Sequence, residues 1–304
     1  MTRASGKPSQ WRVDVGLVFV ALIWGSTFVL VKQALDNIST LLFLTLRFSI
    51  AAAALLLLFW NKLRMEEAGR HNLKYSLKGG VIAGVCLFSG YVLQTFGLKY
   101  TTAAKAGFIT GMYIPFVPIF GALIYRKFPR NAEIIGVSCA FAGMALLSVK
   151  DTALGIGFGD LLVLGCAVAY TLHILVLGSY AQTASIAVLT LTQIVTAALL
   201  GAATFWWAEP PKVQWSKDVW IALGVTSLFA TALAFAIQTW AQQYSSPTRT
   251  ALIFAMEPVF AWVTSYIVLG ENLSRRGIYG AALILSGILL VELKPQRFER
   301  HHST

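Results

Sequence analysis

Charge is scarce in this sequence. Of 304 residues only 12 % are Asp, Glu, Lys or Arg, against about 25 % in an ordinary soluble domain. Hydrophobic residues make up 57 %, and the mean hydropathy is +0.70. The chain is long enough for a large core, so the shortage is not a small-domain effect. It excludes an ordinary soluble globule. Cysteine is scarce too: Cys86, Cys139 and Cys166 each lie in an apolar run, without CxxC or Cys/His ligand spacing. They read as small packing residues, with neither a disulfide framework nor a zinc site expected. Of four histidines only His173 lies in an apolar run. Without HExxH or paired acids, neither a metal cluster nor an intramembrane enzyme is expected. A Walker-type phosphate loop is also missing, which disfavours ATP-driven transport by this chain alone. No cofactor is expected.

What the chain has is apolar runs. A bilayer core of about 30 Å needs about 20 mostly apolar helical residues. Ten runs approach that length: 14–35, 39–60, 77–98, 103–125, 132–149, 159–180, 185–208, 218–240, 249–269 and 276–293. The first is too long for a cleaved signal's apolar region and no A-x-A site follows it. The predicted class is an all-α integral membrane protein with ten transmembrane helices. The net charge of +11 comes mostly from basic residues in the short gaps between runs. That is a topology signal, and no nucleic-acid motif accompanies it, so nucleic acid is not an expected partner. Placing both termini in the cytoplasm puts most lysines and arginines inside, with Arg275 and Arg276 against the trend. The tails are then 1–13 and 294–304. Lys32, near the outer end of the first run, reads as snorkelling to the interface.

The runs repeat. "YVLQTFGLKYTTAAKAGF" from Tyr91 and "FAIQTWAQQYSSPTRTAL" from Phe235 align at an offset of 144. That offset pairs Gln94 with Gln238, Lys105 with Arg249, Gly136 with Gly280 and Gly143 with Gly287. An offset of 146 fits the earlier helices, pairing Trp24 with Tyr170, Ser39 with Ser185 and Arg47 with Gln193. Residues 14–149 and 159–293 therefore read as two five-helix copies. Five is odd, so the second enters from the opposite side. Inverted repeats of this kind build many secondary transporters, with the solute site near the midplane between them.

The stretches "ALIWGSTFVLVKQAL" (21–35), "LRFSIAAAALLLL" (46–58), "GLKYTTAAKAGFI" (97–109) and "EPVFAWVTSYIVLGENLS" (257–274) resemble the EamA family of the drug/metabolite transporter superfamily. The resemblance spans roughly residues 14–293. It implies a ten-helix inner-membrane transporter of small organic solutes, often an exporter of amino acids or related metabolites. It also implies that the fifth and tenth helices lie at the edge of the bundle, so the chain is a monomer or a homodimer. In one respect the halves differ: Tyr113 stands where the second repeat has Glu257.

Ionisable residues inside a membrane are costly and default to functional hypotheses. Glu257 lies eight residues beyond Arg249 and Arg47 eight beyond Ser39, so each is about 12 Å into its helix. The two either pair to order the bundle or line the solute path. Proton or ion coupling through Glu257 is a further expectation. Gln94, Gln193, Gln238 and His173 need polar partners in hydrocarbon, either as helix–helix glue or, with Trp24, Tyr91, Tyr113 and Tyr170, as a site for a small zwitterion. His173 is either hydrogen-bonded packing or a titrating group. An organic cation held by Glu257 and aromatic faces is the competing cargo. Pro115, Pro118 and Pro258 break helical bonding, as static kinks or bending points. Gly80, Gly84, Gly107, Gly111, Gly136 and Gly143 suit close helix packing.

Overall fold

The computed structural model describes residues 8–67, 72–101, 103–126, 128–148, 157–269 and 275–292. The expected C-terminal tail and the side chains of Lys32 and Lys105 lie outside the described residues. The helices are α1 (Gln10–Ala34), α2 (Thr40–Glu67), α3 (Leu73–Leu98), α4 (Ala103–Thr110), α5 (Tyr113–Tyr125), α6 (Asn131–Ser148), α7 (Phe158–Tyr180) and α8 (Ile186–Thr204). There follow α9 (Lys217–Ser227), a π-helical turn (Leu228–Leu233), α10 (Ala234–Ala241), α11 (Pro247–Phe254), α12 (Glu257–Leu269) and α13 (Arg275–Glu292). Among the described residues extended pairing is confined to one bridge, Ile38 to Val213, which ties the α1–α2 link to the α8–α9 link. Among the described residues six stretches are long and apolar enough to cross a bilayer: Thr40–Arg64, Leu73–Leu98, Ala106–Tyr125, Phe158–Tyr180, Ile186–Thr204 and Lys217–Ala241. Asn131–Leu146 is a shorter apolar helix.

Two runs expected to be continuous are broken, and proline chemistry accounts for both breaks. Pro115 cannot donate to the Gly111 carbonyl, and Pro258 cannot donate to that of Phe254. The chain responds just before each proline. Met112 donates to Ile109 and Ile114 to Gly111, both at 3.0 Å, while Ala255 donates to Leu252 and Met256 to Ile253. These three-residue bonds tighten the helix into 3₁₀ geometry. Pro118, by contrast, lies inside α5 without interrupting it. The third irregularity, the π-turn between α9 and α10, contains no proline and was not anticipated.

Glycines set the closest packings. Gly136 of α6 lies against Gly287 of α13, where an added Cβ would sit 2.7 Å from the Gly287 carbonyl oxygen. Gly143 lies likewise against Gly280. Gly80 and Gly84 let α3 close on α8, and Gly111 faces Met144. Gly107 differs from expectation: among the described residues nothing lies within 4 Å of its Cβ position. Gly136→Val is expected to lower the thermal midpoint in detergent, at a cost of about 1–3 kcal/mol for overpacking. An unchanged midpoint would contradict a tight α6–α13 contact.

Candidate solute cavity

A cavity of 140 Å³ lies among α1, α2, α3, α7, α10 and the two broken helices. It runs from mid-helix residues to Leu35, Thr40 and Leu98, at the ends of α1, α2 and α3. Its size is that of one small solute: a cavity of about 150 Å³ takes up benzene.

Arg47 projects from α2 and is 5 % exposed. Its Nε donates to Thr231 Oγ1 at 2.7 Å, and its Nη2 donates to the Tyr91 hydroxyl at 3.1 Å and the Ala230 carbonyl at 3.3 Å. The guanidinium carbon stands 4.9 Å from the Tyr91 ring centre. Ala230 also accepts from the Trp24 indole at 2.8 Å. Both acceptors belong to the π-turn, and such turns recur at functional sites.

Glu257 is the first residue of α12, directly after the break that Pro258 imposes. Gly25 admits this segment to α1, since a Cβ there would lie 2.5 Å from the Glu257 carbonyl oxygen. The Glu257 carboxylate lines the cavity and has no hydrogen-bond or ion-pair partner among the described residues. Arg47 is bonded elsewhere, so the two do not form an ion pair.

Around these charges stand Trp24, Tyr91, Tyr113 and Tyr170, all lining the cavity. The Tyr91 and Tyr170 rings meet edge to face at 5.8 Å, and Trp24 meets Phe254 at 5.0 Å. Gln94, His173 and Gln238 also line it. Gln94 donates to Thr110 Oγ1 at 3.2 Å.

Gln193 is the exception. It is fully buried, bridges His173 and Thr239, and does not line the cavity. The hydroxyl of Thr239 donates to the Phe235 carbonyl, so its oxygen accepts from Gln193 Nε2 at 3.0 Å. That leaves Gln193 Oε1 facing His173 Nε2 at 2.9 Å. His173 therefore carries its hydrogen on Nε2. The same logic fixes Gln238. Gln242 Nε2 donates to the Ile174 carbonyl, so its Oε1 accepts from Gln238 Nε2 at 3.2 Å. Gln238 Oε1 is left buried and unpartnered, an acceptor whose desolvation is uncompensated by the protein.

The three prolines do not line the cavity. Pro115 and Pro258 instead set the breaks that carry Tyr113 and Glu257 to its wall.

The opposite end of the bundle carries an ion pair. Asp14 of α1 takes a forked pair from Arg249 of α11, with Nε to Oδ1 at 3.0 Å and Nη2 to Oδ2 at 2.7 Å. Val13, Leu17, Ala241 and Leu252 are buried in the same core.

Reading the sequence missed Thr231, the Ala230 carbonyl and the hydroxyl of Thr110. A hydroxyl in an apolar run was the available signal for Thr231. A main-chain carbonyl released by a π-turn leaves no residue signature.

The model of the EamA-like transporter family matches residues 11–149 and 157–293. An uncharacterized transporter of Archaeoglobus fulgidus is 36 % identical over 281 residues, spanning 92 % of this chain and 86 % of its own. The uncharacterized transporter YoaV of Bacillus subtilis is 26 % identical, with 92 % of this chain and 96 % of its own covered. A protein of known crystal structure superposes with a TM-score of 0.77 at 21 % identity, over 94 % of this chain and 98 % of that one. That likeness concerns the fold alone.

Proposed function

We propose, from the premise that this chain belongs to the EamA-like transporter family, that it is a secondary transporter exporting small organic metabolites such as amino acids. Membership makes it a membrane transporter and not an enzyme. Alternating access around the cavity is the proposed mechanism. The observation that carries it is a cavity that reaches one end of the bundle while the Asp14–Arg249 fork and buried apolar side chains pack at the other.

Ten membrane segments in two inverted five-helix repeats fit this reading, with α4–α5, α9–α10 and α11–α12 each counted once. Contacts then come in symmetric pairs. α3 packs on α7 as α9–α10 packs on α1, and α1 packs on α12 as α7 packs on α5. Gly136 meets Gly287 while Gly143 meets Gly280, which is the crossing that a two-fold axis requires of residues paired at an offset of 144. With both termini cytoplasmic, the cavity reaches the outer face of the inner membrane.

The test is counterflow in proteoliposomes. Saturable exchange of a labelled amino acid is expected, competed by unlabelled amino acid. Linear, unsaturable flux would make the protein a channel. The Glu257 carboxylate, unpaired among the described residues and lining one cavity with Trp24 and Tyr113, favours a second reading, efflux of organic cations. Competition by tetraethylammonium and not by amino acids would select it.

A further inference from the structure

One nitrogen of the Arg47 guanidinium is left over. Nε and Nη2 hold Thr231, Ala230 and Tyr91. Nη1 has no protein partner among the described residues. It is not sealed off either: the fully buried side-chain polar atoms without partners there are Thr190 Oγ1, Thr226 Oγ1, Ser227 Oγ and Gln238 Oε1. Arg47 lines the cavity, so its free N–H groups face solvent-accessible space inside an apolar wall. A charged donor in such a place binds an anion strongly, because water competes poorly there.

The cradle matters as much as the charge. An unheld arginine samples many rotamers and loses that freedom when it binds. Here the π-turn fixes one edge of the guanidinium. Thr231 Oγ1 takes Nε, and the Ala230 carbonyl takes Nη2 while also receiving the Trp24 indole. The turn's widened backbone therefore orients a cation from α2 and an aromatic wall from α1 together.

We propose that Arg47 is a preset receptor for the carboxylate of the transported solute, and that Thr231 with the π-turn positions it. This rests on the transporter reading above and assigns the cargo a chemistry: a solute bearing a carboxylate. A single exposed guanidinium edge suits a monoanion. Thr231 is a positioning residue and touches the solute only through Arg47.

The experiment uses the full-length protein in detergent and in proteoliposomes. Thermal shift and competition are measured with the twenty L-amino acids singly, then with the carboxamide of each one that binds. In the unaltered protein the carboxamide is expected to bind about 10- to 100-fold more weakly, the range for one charge-assisted hydrogen bond. Arg47→Gln should abolish that discrimination. Thr231→Val, which keeps the shape and removes the acceptor, should reduce it, and Thr231→Ser should restore it. A purely structural Thr231 would change folded yield without changing the carboxylate-to-carboxamide ratio. Equal binding of acid and amide overturns the proposal, and saturable exchange would still leave the transporter reading standing. Binding of no amino acid at all also overturns it. Loss of saturable counterflow for every solute, tetraethylammonium included, defeats the transporter reading itself.

Discussion

Glu257→Gln is expected to cut exchange in proteoliposomes by at least about tenfold, a loss of roughly 1.4 kcal/mol in the transport step, while folded yield stays level or rises. The two halves of that expectation have one cause. The carboxylate forms no hydrogen bond or ion pair among the described residues, so replacing it removes no stabilising contact. An ionised side chain at mid-membrane costs about 2.5–3.5 kcal/mol on insertion scales. The amide relieves that cost and fills the same space. An unpaired carboxylate that lines a cavity is placed to meet what enters the cavity, and the expected loss of exchange follows from that placement. Exchange at the unaltered rate by a well-folded Glu257→Gln protein would defeat the argument. A drop in yield matching the drop in exchange would reassign Glu257 to folding.

The same side chain marks how far the sequence could be read. Its depth came from residue spacing alone, as did its isolation as the acid of one repeat only. Nine of the ten residues expected at the solute path line one cavity, because polar and aromatic groups in hydrocarbon are driven to shared interior space. The tenth, Gln193, was indistinguishable from the others by composition. Only three-dimensional partners, His173 and Thr239, set it apart from the lining. The Arg47–Glu257 pair remained open on depth alone, since depth does not give azimuth. Arg47 turned instead to hydroxyls and a carbonyl that no charge pattern could advertise. Prolines marked two helix breaks correctly in kind, because a missing donor acts locally. The π-turn depends on how α9–α10 packs against α1 and α2, so it was invisible to local reading.

The Asp14–Arg249 fork was equally hidden, since Asp14 sits at the start of α1 and Arg249 on a helix 235 positions later. Asp14→Ala is expected to destabilise the folded protein by about 3–5 kcal/mol, the usual cost of breaking a buried ion pair from one side. Arg249 is 6 % exposed and would lose two charge-assisted bonds to Asp14. Replacing both residues, Asp14→Leu with Arg249→Met, should cost less than Asp14→Ala, because no charge is then stranded in the core. The fork also joins α1 to α11 at the end of the bundle opposite the cavity mouth. Weakening it should therefore make that end easier to open, beyond any loss of melting temperature. A cysteine introduced at Ala251, buried two residues beyond Arg249 on α11, reports this through its rate of alkylation by a reagent confined to that side of a vesicle. Faster alkylation with Asp14→Ala than with Gly136→Val, a variant that loosens the bundle at another contact, would identify the fork as the latch of that end. Equal rates would reduce it to a structural ion pair.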